Sequence, residues 1–327
     1  MHNKLLAILR TTFIETVRQP VYGILLWSAA LWLGLFGPGL AAFSLEGGGD
    51  SKILKDIGLS TLLLYGLLCG AFSASSVVTR EIESFSALTV ISKPVSRPLF
   101  VIGKFLGVST AVLMGLYVLT LVFLMTVRQG VFEMVTDKWD QPVLYLGLGA
   151  AILSLLVAGV GNFFYGWHFG ATLNYMIIPT GTLATLAVLC FDKTWILQDP
   201  IKDLTTNLQP VIYGAIMVAC AVLILTAFAV AFSTRLSQVM TLLLTVSVFM
   251  VGLLSDYYFG VRADHGLLFN VLHHVLPNFQ FFWIGDALTQ DQPVPFAQVQ
   301  LVLAYTGLYT TAVLMLAVIL FQTREVG

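Results

Sequence analysis

A chain of 327 residues with 58% hydrophobic and 10% charged side chains, at a mean hydropathy of +0.91, is not a water-soluble domain, since those carry about 25% charge. No basic run accompanies the formal net charge of −1, so nothing in the chain suits nucleic acid. Cys69, Cys190 and Cys220 each lie in an apolar stretch without a CxxC pair, and read as small core residues rather than redox or metal centres.

Residues 1–20 come first and predict an amphipathic helix. At 100° per residue Leu5, Leu6, Leu9, Phe13 and Val17 share one face, while Asn3, Lys4, Thr11, Glu15 and Arg18 share the other. Its charges are too closely spaced for the apolar core of a cleavable signal. It suits a helix lying in the membrane interface before Pro20 releases the chain.

Charge-free windows then mark the spans, because a hydrocarbon core of about 30 Å takes about 20 residues of helix. They cover 19–45, 57–79, 105–127, 141–191, 204–234, 236–255 and 292–323. The 141–191 window is about twice too long for one helix. GNFFYGWHFG, at 161–170, supplies the turn that divides it. The expected fold is an all-α polytopic membrane protein of about eight transmembrane helices with both termini on one side. Its parts are the interfacial helix (1–20), spans 1 and 2 (21–79), a loop (80–104), spans 3 to 6 (105–235), and span 7, an outer segment and span 8 (236–327).

Placing the termini in the cytoplasm puts Lys4, Arg10, Arg18, Arg80, Lys93, Arg97, Lys104, Arg235 and Arg324 inside. The other seven of the sixteen basic residues fall outside, a modest vote under the positive-inside rule. Trp139, Trp167, Trp195 and Trp283 stand at predicted boundaries, as an aromatic belt requires.

Between spans 2 and 3 lies TREIESFSALTVISKPVSRPLFVIGKFLG, a polar island too short for a domain. Spans 2 and 3 also carry small residues at every fourth position, Gly66, Gly70 and Ala74 in one, Gly103, Gly107, Ala111 and Gly115 in the other. Such stripes let helix backbones approach, within the chain or at a dimer seam. Residues 260–296 are too apolar for a solvated loop and are broken by Pro277. They predict two short helices in, or dipping into, the outer leaflet, either a lid over a path or a structural plug.

No Asp, Glu, Lys or Arg stands in mid-span, which counts against ion-coupled carriers, proton pumps and intramembrane aspartyl proteases. Asn162 and Asn174 are the strongest polar residues near the inner ends of spans 4 and 5, and read as helix-to-helix hydrogen bonders. His265, His273 and His274 cluster with Asp264, but adjacent histidines on a helix point about 100° apart and ligate one metal poorly. Without GxxxxGK[ST] the chain is not expected to hydrolyse nucleotide by itself.

Three stretches carry a family resemblance: Arg80-Glu81-Ile82-Glu83, Ser92-Lys93-Pro94-Val95-Ser96-Arg97, and Gly103-Lys104-Phe105-Leu106-Gly107. With VLPNFQFF, a last span and LFQTREVG near the end, the chain resembles the permease subunits of type-2 ATP-binding-cassette (ABC) transporters. It is similar in particular to those of nitrous-oxide-reductase maturation and gliding motility. The resemblance implies that residues 81–91 form a coupling helix, ended by Pro94, in the groove of a separate cytoplasmic ATPase. Ile82, Phe85 and Leu88 would fill that groove, Arg80, Glu81 and Glu83 would meet its rim, and Lys93, Arg97 and Lys104 would return the chain at the lipid headgroups. It further implies a second permease copy, as homodimer or pseudo-dimer, an exporter of the bacterial inner membrane, and an extracytoplasmic accessory protein as a further partner. ATP and magnesium would sit on the ATPase, with no cofactor on this chain. Family members usually have six spans, so an extra pair lies within 141–233. A mechanotransmitting subunit that drives an outer partner without passing substrate, or a non-transporting scaffold, would show many of the same features.

Overall fold

The computed structural model describes residues 2–36, 38, 50–88, 96–131, 139–260, 275–285, 287 and 294–322, and for 80–88 the backbone alone. The described residues are almost entirely helical, with one isolated bridge between Phe191 and Leu197. Among the described residues the helices of twelve residues or more are, in chain order, α1 (His2–Arg18), α2 (Pro20–Leu31), α3 (Asp50–Leu88), α4 (Arg97–Gln129), α5 (Gln141–Tyr165), α6 (Phe169–Leu189), α7 (Gln209–Ser233), α8 (Gln238–Ser255) and α9 (Phe296–Gln322).

Among the described residues, seven helices are long and apolar enough to cross a bilayer. The bent pair Asn3–Arg18 and Pro20–Phe36, turned by 61°, makes an eighth if it is taken as one span. The chain is thus an all-α, multi-pass membrane protein. The expected first span is the weak one, a 12-residue helix continued by the five-residue π turn Trp32–Phe36. The bend has a local cause. Gln19 precedes Pro20, whose ring drives the preceding residue out of the helical region, and Gln19 is extended at φ −66°, ψ 133°.

Other ends follow from equally local chemistry. The Asp140 carboxylate accepts the Val143 N–H at 3.1 Å and caps α5, which carries Pro142 in its first turn. Gly166, at φ +65°, then ends α5 in the left-handed conformation that glycine tolerates. Asn162, expected to bridge helices, instead donates to the Trp167 carbonyl at 2.6 Å and holds this turn. The short turn leaves the amide within reach of its own backbone.

α7 is the central helix. Within its apolar window 72% of the residues are buried, against 17% for α5 at the periphery. α3, α4, α8 and α9 all pack on it. The glycine stripes make the closest approaches. Gly66 and Gly70 of α3 face Val222 and Thr226 of α7, and a Cβ on Gly70 would stand 2.7 Å from Thr226 Oγ1. Gly103 and Gly107 of α4 receive α1, where a Cβ on Gly107 would stand 2.5 Å from Thr12 Cβ and 2.9 Å from the Leu9 carbonyl oxygen. Both stripes therefore pack within the chain.

α6 joins the bundle through polar bonds. Asn174 accepts from Trp27 Nε1 of α2 at 3.1 Å, Thr180 shares a bond with Ser154 of α5 at 2.7 Å, and Thr182 shares one with Tyr117 of α4 at 2.8 Å. Asn174 thus bridges helices, as its place in the sequence suggests.

Of the 260–296 segment the described part includes a 3₁₀ turn, Phe279–Phe282, packed against the bundle. Most of the stretch expected to form two short helices, 261–274 and 288–293, lies outside the described residues. Phe279, Phe282 and Ile284 are buried. Tyr309, near the middle of α9, donates to the Val275 carbonyl at 2.7 Å, and the Asn278 N–H donates to Tyr305 at 3.4 Å. At the other end of the segment Gly285 lies beside Asp56, in the first turns of α3. The segment thus climbs from mid-helix depth to the end of the bundle. Non-helical backbone at such depth needs protein cover, and its aromatic side chains recruit that cover from α7, α8 and α9.

The glycine contacts generate a paired test. Gly66→Leu should overpack the α3–α7 seam by about 1–3 kcal/mol and lower the detergent melting temperature or prevent folding. Gly149→Leu on α5, where nothing lies within 4 Å, should leave it unchanged. Equal melting of the two variants would contradict this packing.

Candidate docking end of the bundle

α3 does not stop where its apolar window stops. It runs without interruption to Leu88, so Arg80, Glu81, Ile82, Glu83, Phe85 and Leu88 extend the membrane helix rather than form a separate one. The reason is in the residues: after Thr79 the chain offers neither glycine nor proline before Pro94, and Glu and Leu are good helix formers. The extension reaches nine residues past Thr79, about 13 Å along the helix axis. Ile82, Phe85 and Leu88 recur at i, i+3 and i+6, so the backbone sets them on neighbouring positions of one side. Residues 89–91 of the expected coupling helix, and Lys93, lie outside the described residues.

The returning helix starts earlier than its apolar window. Ser96 is extended, Pro98 occupies the first turn, and Arg97 opens α4. The Arg97 guanidinium donates to the Phe321 carbonyl at 3.5 Å and to the Gln322 carbonyl, and lies 6.0 Å from the centre of the Phe321 ring. Phe100 stacks on the same ring at 5.4 Å. From the turn between α7 and α8, Arg235 Nε donates to the Leu320 carbonyl at 2.8 Å. The last carbonyls of a helix lack internal partners and form the negative end of its dipole. Two arginines from two different connections therefore clasp the end of α9.

Of the basic residues expected at the lipid headgroups, Arg97 is exposed and also engages the end of α9. Lys104 is only 3% exposed, with its Nζ 5.7 Å from the centre of the Phe100 ring. Helical side chains lean toward the preceding turn, which carries the ammonium back along α4 over an aromatic face. α1 crosses the same region on Gly103 and Gly107. One end of the molecule thus gathers the projecting end of α3, the start of α4, α1, the α7–α8 turn and the end of α9.

Among the described residues no group of three His, Cys, Asp or Glu side chains is arranged to hold a metal. His265, His273, His274 and Asp264 lie outside the described residues. The clasp itself was missed from sequence, where Arg97 and Arg235 count only as positive charges and carry no signal that pairs them with α9. No protein family matches the chain, and neither a curated protein nor a solved structure resembles it.

Replacing both Arg97 and Arg235 by Ala should fray the last turn of α9 at a cost of about 1 kcal/mol, the scale of capping and dipole interactions at exposed helix ends. Hydrogen exchange should then accelerate at residues 318–322 while the middle of α9 stays protected. Unchanged exchange there would refute the clasp.

Proposed function

We propose that this chain is the membrane-spanning permease subunit of an ATP-driven transporter of the ABC-2 kind, energised by a separate ATPase that seats on the projecting end of α3. The observation that carries the reading is the continuity of that helix. The stretch Glu81–Leu88, which the family resemblance designates for ATPase contact, is rigidly joined to a helix packed on the central α7. A displacement imposed at Leu88 therefore moves a core helix and not a slack loop. ATP binding shifts the permease between states only if the docked contact differs in free energy between them. Ile82, Phe85 and Leu88 supply an apolar stripe for the ATPase groove, flanked by Glu81 and Glu83.

On this reading the Arg97 end faces the cytoplasm of a bacterium, both termini lie there, and two permease copies form the path, most simply for export. The α5–α6 hairpin is the pair added to the usual six spans. It sits at the edge and joins the bundle mainly through α6, whereas α7 is too central to be an addition. A second reading draws on the buried Phe279–Ile284 stretch, which links α7, α8 and α9 near the far end. That linkage also suits a mechanotransmitter that drives an outer partner without passing substrate.

Co-purification decides the first step. Phe85→Asp would place a charge in an apolar groove and should weaken recovery of the ATPase at least about tenfold, or about 1.4 kcal/mol, with membrane insertion intact. Tagged wild-type chain should bring down a stoichiometric nucleotide-binding subunit from mild detergent. A mutant that recovers it normally, or a wild type that recovers none, would reject the docking assignment and leave a membrane scaffold as the better description.

A further inference from the structure

At the end of the bundle opposite Arg97, a cavity of about 340 Å³ opens between the end of α4, the start of α5 and the connection that follows α6. Among the described residues its charged lining is balanced, with two bases, Arg128 and Lys193, and two acids, Asp140 and Asp192. One wall is built rather than incidental. Arg128 Nε and Asp140 Oδ2 pair at 3.2 Å, with 8% and 0% of their side chains exposed. Arg128 also donates to the Phe191 carbonyl, and the Asp140 N–H donates to Gln129 Oε1 at 3.1 Å. The Gln129 amide nitrogen beside this network is buried without a hydrogen-bond partner among the described residues.

The rim is a tight hairpin. The Asp192 N–H donates to the Ile196 carbonyl at 2.7 Å and the Gln198 N–H to the Cys190 carbonyl at 3.0 Å. Trp195 at its tip has φ +64°, a strained conformation for a bulky residue, and is held by rings of Phe191 at 5.3 Å and Tyr145 at 6.5 Å. Ile196 and Leu197, just beyond, are 65% and 76% exposed. At the end of a membrane-spanning bundle, an exposed apolar rim beside a charged hollow matches the boundary between acyl chains and headgroups.

We propose that this cavity binds the zwitterionic headgroup of a phosphatidylethanolamine from the adjacent leaflet. An anion alone would meet two carboxylates and a cation alone two bases, whereas a dipolar headgroup meets both signs. Its phosphate suits Lys193, beside the wall that Arg128 and Asp140 hold in place, and its primary ammonium has N–H donors for Asp192. A choline headgroup has no such donors and calls for an aromatic cage, which the described lining residues do not form. The rim residues Ile196 and Leu197 then receive the acyl chains. The volume falls in the range of about 300–1,000 Å³ typical of small-molecule sites. This proposal does not depend on the ATPase reading.

Native mass spectrometry of the full chain, released from nanodiscs of equal phosphatidylethanolamine, phosphatidylcholine and phosphatidylglycerol, tests it. The wild type should retain one phosphatidylethanolamine per chain in preference to the other two. Lys193→Glu and the milder Lys193→Gln should each lose that lipid at least tenfold with an unchanged melting temperature, and Lys52→Glu should keep it. Equal retention of the three lipids, or retention unaffected by both Lys193 variants, would overturn the site. Displacement of the lipid by millimolar free phosphoethanolamine would overturn the lipid source in favour of a soluble ligand.

Discussion

Helices already dissolved in lipid gain little by hiding apolar surface from one another, so close backbone approach has to hold them together. In this protein that approach is made where Gly66 and Gly70 of α3 leave room for Val222 and Thr226 of α7. The contact puts α7 at the centre, and α4, α8 and α9 pack around the pair. α1 repeats the device on α4 at Gly103 and Gly107, which presses an amphipathic helix onto the bundle instead of leaving it free. A side chain at any of these four positions would push two elements apart, and the neighbours that rely on them would follow.

Polar bonds then orient what the glycines bring close. α6 is tied to α2, α5 and α4 by one bond each, through Trp27–Asn174, Ser154–Thr180 and Tyr117–Thr182. Tyr22 of α2 donates to the Ala111 carbonyl of α4 at 2.9 Å deep in the bundle. Such bonds in membrane proteins average about 0.6 kcal/mol each, so they select angle and register more than they supply stability. α5 keeps one apolar face outward along its whole length, from Leu144 and Tyr145 to Phe163 and Phe164. That face suits lipid, and it explains why the hairpin adheres mainly through α6.

The spans were legible because desolvation of charge is expensive enough to write itself into the sequence. The windows 236–255, 204–234 and 292–323 fall within a few residues of α8, α7 and α9, and the glycine-rich break at 161–170 falls on the turn between α5 and α6. What the windows cannot show is where a helix ends. Backbone hydrogen bonding is indifferent to side-chain charge, so α3 starts at Asp50 and passes Lys52, Lys55 and Asp56 before the apolar stretch, and α4 starts at Arg97. A loop of 25 residues in the sequence thereby shrinks to the ends of two helices and the few residues joining them. The resemblance sets Lys104 and Arg97 at the lipid headgroups. Phe100 lies four residues before Lys104 on the same helix, a spacing the sequence does show, whereas the end of α9 is brought to Arg97 by the fold and leaves no trace in spacing. The 190–198 hairpin was invisible for a related reason: Trp is among the residues least expected at positive φ.

The length of α3 also bears on how the two ends of the molecule communicate. Its 39 residues make a rod of about 60 Å, well beyond the about 30 Å of hydrocarbon. At one end is the extension to Leu88, and at the other Asp56 lies against Gly285 of the 275–285 stretch. Between them the helix is locked to α7 by glycine contacts that tolerate little sliding, because packed interfaces shift between discrete arrangements rather than deform smoothly. A tilt of α3 imposed at Leu88 would therefore reach Gly285 as a lever movement instead of being absorbed along the way. The segment it would move is held to α9 by Tyr305 and Tyr309. α9 in turn is clasped at its far end by Arg97, the first residue of the helix that follows the α3 extension. The path from one end to the other and back thus runs through α3, the non-helical 275–285 stretch and α9, so a force applied at Leu88 would be carried mainly by packed helices.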